Sequence, residues 1–176
     1  MAVTRVPVVI GETEARSNFM SNKWVLTSAG NRAATLTREP TRHTSYVVLA
    51  DGTDLVLAPD AWGTVVAMSG DTEVGRATRT SWLGRSWEVS GPTFSANLTS
   101  DPIPRRWKLR LGREEVGQFS GGVLSYNRLH LHSVIAVPVV VVALAWHVLA
   151  RPWEAAAAPG VMVPNRGSKG QHRVHG

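Results

Sequence analysis

Residues Val134 to Ala150 read VIAVPVVVVALAWHVLA, seventeen positions without one formally charged side chain. The reading of this stretch decides the fold. Pro138 divides it. A proline fits the first turn of a helix, where its missing N–H costs nothing. The segment before it continues a β-rich pattern, so the sequence predicts a last strand ending near Val137 and a helix from Pro138 to about Ala155. That helix carries no polar stripe and must be surrounded. Either lipid or the chain's own sheet can surround it. A spanning helix wants ~20 apolar residues and at least ~17. A helix starting at Pro138 falls short of that. Inside a barrel each Val, Leu or Ile contributes ~1.5–3 kcal/mol on leaving water, against ~0.3–0.6 kcal/mol at the centre of a membrane. The enclosed helix is the favoured reading. The alternative is a β domain anchored by Val134–Ala150 as a single span, with Arg151 and the basic tail on the cytoplasmic side.

Upstream, short β-branched and aromatic runs alternate with Gly, Asp, Asn and Pro. Strands are predicted at Trp24–Ser28, Ala33–Thr37, Ser45–Ala50, Asp54–Ala58, Thr64–Ser69, Glu73–Thr80, Arg85–Ser90, Phe94–Thr99, Arg106–Leu111, Glu115–Ser120 and Asn127–Val137. Asp51-Gly52 is a hairpin signal, because both residue types tolerate positive φ. Gly70-Asp71, Leu83-Gly84, Gly91-Pro92, Leu111-Gly112 and Gly121-Gly122 punctuate the rest. No helical period intervenes, which argues an all-β sandwich or barrel. The expected fold is mainly β (α+β): an antiparallel, closed or nearly closed barrel of about 10–12 strands around one apolar C-terminal helix. Residues 1–19 read as a loose leader, 20–155 as the barrel domain with its helix at about 138–155, and 156–176 as a flexible basic tail.

The chain repeats itself once. Gly70-Asp71-Thr72-Glu73-Val74-Gly75-Arg76-Ala77 matches Gly112-Arg113-Glu114-Glu115-Val116-Gly117-Gln118-Phe119, an offset of 42 positions. Each copy reads strand, Gly turn, strand. Two copies are too few for a propeller, which needs at least ~4 blades, so they read as related hairpins of one sheet.

The 176 residues suffice for one domain with a proper core. No cysteine is present, which removes disulfides, thiolate metal sites and cysteine nucleophiles. The net charge of +6 favours anionic partners or simple solubility. The short apolar run Val6–Ile10 falls short of an export signal. G-x-S-x-G, phosphate-loop and H-E-x-x-H motifs are absent. Glu114-Glu115 are neighbours in a turn and face opposite sides of any strand, so no paired acid and base is expected. The sequence predicts no enzyme, no cofactor and no metal.

Hairpins carrying G-x-x-E-V-G, a Trp-rich strand and a final strand running into an apolar C-terminal helix resemble the tubby C-terminal-like superfamily, in its LURP-one-related and scramblase-like bacterial branch. The resemblance spans about Ser45 to Trp153. It implies a roughly twelve-stranded barrel enclosing a hydrophobic helix, and for tubby-type domains it implies binding of phosphoinositide through basic residues. There is no Cys for palmitoylation and no acidic loop with calcium-site spacing, so calcium-driven scrambling is not implied.

The candidate binding residues are Arg105, Arg106, Lys108, Arg110 and Arg113. On a strand, Trp107, Leu109 and Leu111 point inward, while Arg106, Lys108 and Arg110 form an outward row flanked by Arg105 and Arg113. Such a row meets lipid phosphates at ~1 kcal/mol per basic residue, or it is a solvated face that discourages edge pairing. The expected partner is an anionic phospholipid surface or a protein at the inner membrane face of a cytoplasmic chain. Trp82, Trp87 and Trp107 beside Arg85, Arg106 and Lys108 could instead stack single-stranded nucleic acid; core filling is the plainer reading. His130 and His132 share one strand face and could share a metal, but a hydrogen-bonded or solvated pair is expected. His147 is expected as a buried neutral imidazole with one partner. His172 and His175 belong to the tail.

Overall fold

The computed structural model describes residues 6–18, 21–39, 41–122 and 127–157, with side chains to Ala150. Twelve strands precede one helix: β1 Val8–Ser17, β2 Lys23–Ser28, β3 Asn31–Glu39, β4 Thr44–Leu49, β5 Asp54–Ala61, β6 Thr64–Ser69, β7 Thr72–Arg79, β8 Ser86–Gly91, β9 Phe94–Ser100, β10 Arg106–Leu111, β11 Glu114–Gly121, β12 Arg128–Pro138 and α1 Val139–Ala157. Every strand pairs antiparallel with its neighbour in sequence, and β1 pairs with β12 to close the barrel. All eleven predicted strands are present.

The twelfth is β1, which the sequence reading leaves in a loose leader. It pairs Glu12 with His132 and Ala15 with Leu129 on one side, and Arg16 with Val25 on the other. Its inward residues include Thr13 and Ser17, while Val8 and Ile10 face out. The usual apolar-in pattern is therefore weak in this strand, carried by Val9 and Ala15 alone. The predicted tail from residue 158 lies outside the described residues, and residues 156 and 157 belong to the helix.

The helix is enclosed. Every residue from Val139 to His147 is buried, as are Leu149 and Ala150. The helix packs most closely on β7, β8 and β12. Its first free N–H, on Val139, donates to the Pro7 carbonyl at 2.8 Å, meeting one of the donors every helix start leaves over. Alternating residues of the strands fill the interior around it: Leu36, Val47, Leu57, Val89, Leu98, Leu109, Phe119 and Leu131 are essentially inaccessible. Val134–Ala150 is therefore not one span. Its first five residues end β12, and the remainder sits inside the sheet. Among the described residues no helix is long and apolar enough to cross a membrane.

The repeat encodes a matched pair of β-bulges. Ala67 faces Gly75 and Met68 faces Glu73, which leaves Val74 extra; Leu109 faces Gly117 and Arg110 faces Glu115, which leaves Val116 extra. A bulge bends its strand and raises local twist. The glycine after each bulge allows a close approach. A Cβ on Gly75 would lie 2.9 Å from the Ser90 carbonyl oxygen and 3.0 Å from Leu144 and Val140; one on Gly117 would lie 2.8 Å from the His132 carbonyl oxygen. Gly75→Ala is expected to cost ~1–3 kcal/mol by overpacking, read as a lowered urea midpoint at constant slope. A change below about 0.5 kcal/mol would show that the helix does not press on this position.

Candidate functional site

The helix runs back from β12, so its C-terminal half emerges at the end of the barrel where β8 and β10 begin. Two loops shape this end. In residues 80–85, the Ser81 hydroxyl oxygen accepts the N–H groups of Arg85 and Ser86 at 2.8 and 3.0 Å. The Gly84 N–H donates to the Ser81 carbonyl. In residues 101–105, Asp101 accepts the Ile103 N–H at 3.0 Å, and the Asp101 N–H donates to the Arg106 carbonyl. These short-range bonds hold both loops in tight turns.

Between the loops lies a cavity of about 650 Å³. Trp87, Trp107, Val148 and Leu149 give it an apolar floor and wall; Arg85, Arg105 and Arg106 complete the lining with three basic residues. Arg105 is braced by donating to the Gly122 carbonyl. Arg85 and Arg106 are exposed and make no ion pair among the described residues. Asp101, the carboxylate of the lining, is already engaged by the Ile103 N–H and lies 3.8 Å from Lys108 Nζ. The site can therefore offer cationic hydrogen-bond donors above an apolar surface, which suits an anionic amphiphile.

The five basic residues singled out in the sequence do not all reach the cavity. Arg105 and Arg106 reach the cavity. Lys108 sits between Asp101 and Glu115, 3.3 Å from the latter. The bulge falls between Leu109 and Arg110, and Arg110 faces Glu115 across the pair. Arg113 lies in the hairpin at the opposite end of the barrel. Sequence reasoning linked Arg85 only to nucleic-acid stacking, because its place beside Arg106 depends on how β8 and β10 flank β9. The three-tryptophan stacking platform is not formed. Trp87 is buried and Trp107 half-buried, both in the cavity wall, while Trp82 projects from the loop.

A second polar cluster lies inside the barrel at the same end. His147 is buried and shares a 2.8 Å hydrogen bond between its Nδ1 and the Ser45 hydroxyl. Arg38, also buried, donates to the His147 carbonyl oxygen, and its guanidinium carbon lies 4.4 Å from the Trp146 ring centre. Trp24 meets Trp146 edge-on at 5.8 Å. Burial, with the Arg38 cation adding to it, pushes His147 down to about 3. The expected single-partner imidazole is present, and the partner is Ser45.

His130 and His132 face β1. His132 bonds Glu12 at 2.6 Å, and His130 lies 3.9 Å from Glu14. Among the described residues no group of three or more His, Cys, Asp or Glu is placed to hold a metal. The His–Glu pairs join the two strands that close the barrel.

No protein-family model and no curated protein matches the sequence. The X-ray structure of a protein from Arabidopsis thaliana is similar in shape: the TM-score is 0.55 at 12% identity, over 83% of this chain and 94% of the plant chain. That likeness is one of fold: a closed twelve-stranded antiparallel barrel with one C-terminal helix.

Proposed function

We propose that this barrel is a non-catalytic binding module for anionic phospholipid at a membrane surface, with the headgroup held at the mouth of the helix-end cavity. The observation that carries this reading is the convergence of Arg85, Arg105 and Arg106 above Trp87, Trp107 and Leu149. Guanidinium forks match phosphate oxygens in pairs, which a lysine cannot do. The apolar wall beneath them suits the first carbons of a lipid rather than a free, fully hydrated phosphate. Anionic lipid gives the cytoplasmic leaflet its negative surface potential, so the reading puts the module at the inner face. The resemblance to tubby-type domains points the same way.

Co-sedimentation with phosphatidylcholine vesicles, with and without phosphatidylglycerol, tests this. The double variant Arg85→Gln/Arg106→Gln is expected to lose ~2 kcal/mol, roughly thirtyfold in affinity, at low salt. Lys108→Gln is expected to lose far less, because Asp101 and Glu115 already hold that ammonium group. Equal retention of the double variant and the parent would remove the cavity from the account.

A further inference from the structure

The same end of the barrel carries large apolar side chains that stand in the open. Trp62 is 73% exposed, Trp82 83%, Leu83 73% and Ile103 49%. They come from three loops on this end, those joining β5 to β6, β7 to β8 and β9 to β10. Among the described residues the other exposed large apolar side chains, Val8, Ile10, Val25, Tyr46, Val48, Val56 and Val134, all lie within strands, on their outward faces. Scattered exposure of that kind is ordinary. Four side chains gathered on loop tips at one end are not scattered.

The tips are built rather than loose. The Trp62 and Trp82 rings lie 6.0 Å apart. The Arg79 guanidinium sits 5.4 Å from the Trp62 ring and 5.5 Å from the Trp87 ring, joining the tip to the cavity wall. Gly63 and Gly84, both at positive φ, let the two loops close against Arg79: a Cβ on either would meet its side chain at 3.2–3.3 Å. Arg79 lies between the Trp62 and Trp87 rings, and Arg85, Arg105 and Arg106 line the cavity together with Leu83 and Ile103. The nearby carboxylates are engaged elsewhere, Asp60 by Arg76 and Asp101 by the Ile103 N–H and Lys108.

We infer that Trp62, Trp82, Leu83 and Ile103 insert as a wedge into the interfacial layer of an anionic bilayer, with the arginines around them at the level of the phosphates. Tryptophan favours that layer because its ring is apolar and its N–H is not. Side chains that project about half of their surface or more, as these four do, suit a fluid medium better than a flat protein face. The guanidinium rim supplies the matching charge. The inference rests on the headgroup reading above and adds the mode of docking: the barrel stands end-on, and its cavity opens toward the lipid.

The chain has no cysteine, so Leu83→Cys gives a single site for an environment-sensitive NBD label, and Asp71→Cys, in the hairpin at the opposite end, gives the control. With phosphatidylcholine–phosphatidylglycerol vesicles the label at 83 is expected to brighten several-fold, shift to the blue and be quenched by brominated lipid; the label at 71 is expected to stay unchanged. Trp62→Ala/Trp82→Ala, its fold checked by circular dichroism, is expected to bind these vesicles about tenfold more weakly. A silent label at 83 on protein that pellets with the vesicles, and that still depends on Arg85 and Arg106, overturns the wedge and leaves the headgroup site standing. Brightening and pelleting that are equal on pure phosphatidylcholine keep the wedge and sink the headgroup reading. Pelleting with neither vesicle sinks both. Brightening with protein concentration alone, without vesicles, makes this end a contact between copies and overturns the wedge.

Discussion

Trp146→Ala is expected to cost ~3–5 kcal/mol in a urea titration followed by far-UV circular dichroism. A domain of this kind holds only ~5–15 kcal/mol in total, so the variant stands close to unfolding at physiological temperature. The large value has three sources. The indole is fully buried at the heart of the barrel, so its removal leaves a void that the strands cannot follow. It loses the edge contact with Trp24 at 5.8 Å, a geometry worth ~0.5–1.5 kcal/mol beyond burial. It also removes the ring beneath the buried Arg38 cation, where such contacts reach ~2 kcal/mol. Trp82→Ala deletes the same side chain from an exposed loop tip and is expected to cost less than about 0.5 kcal/mol. Equal costs for the two would falsify an enclosed helix.

The second large effect is on acid stability. His147 ordinarily titrates near 6.5, but burial and then Arg38 hold it at about 3 in the folded chain. The folded state therefore prefers the neutral imidazole. Above pH 6.5 both states are neutral and the full stability is present. As the pH falls below 6.5 the unfolded chain takes up a proton that the folded chain refuses, and stability declines until about pH 3. At ~1.4 kcal/mol for each tenfold of proton activity, the loss across that window is of order 5 kcal/mol. His147→Asn keeps a polar atom near Ser45 and has nothing to protonate. Its stability, measured by urea melts from about pH 7 to about pH 4, is expected to fall by less than the parent's, since carboxylates contribute to both. Parallel curves for the two chains would mean that water reaches His147.

Most of this fold is legible in the sequence because its signals are local. Strand length, turn glycines and the charge-free run each reside in consecutive residues, and the helix is found within one or two positions of its predicted ends. Val8–Ser17 escaped because, after Val9, the barrel fills its interior there with Thr13, Ala15 and Ser17 instead of large aliphatics, and Gly11 brings no side chain to the inward register. The candidate site was half visible. Arg105 and Arg106 stand beside Trp107 in the sequence, but their association with Arg85 and with the helix residues Val148 and Leu149 is a property of strand order and of the helix's return path. The loop-tip cluster was hidden for a related reason. The Leu83-Gly84 turn beside Trp82 and the predicted strand around Trp87 separate those two locally, but the gathering of Trp62, Trp82 and Ile103 at one end follows only from how the strands pair.

The position of the helix after the last strand sets the order in which a ribosome can complete this barrel. All twelve strands emerge before the segment that fills them, and β1 waits for a partner some 120 residues downstream, as the Glu12–His132 bond measures. Until Val139–Ala150 arrives, the nascent sheet has no plug and its inward valines and leucines stand open to water and to other chains. Closure then requires a long-range pairing, the slow kind, and it has to occur around the helix and not ahead of it. The filling segment must therefore be made before the sheet can shut, and the interval is when a chaperone has most to protect.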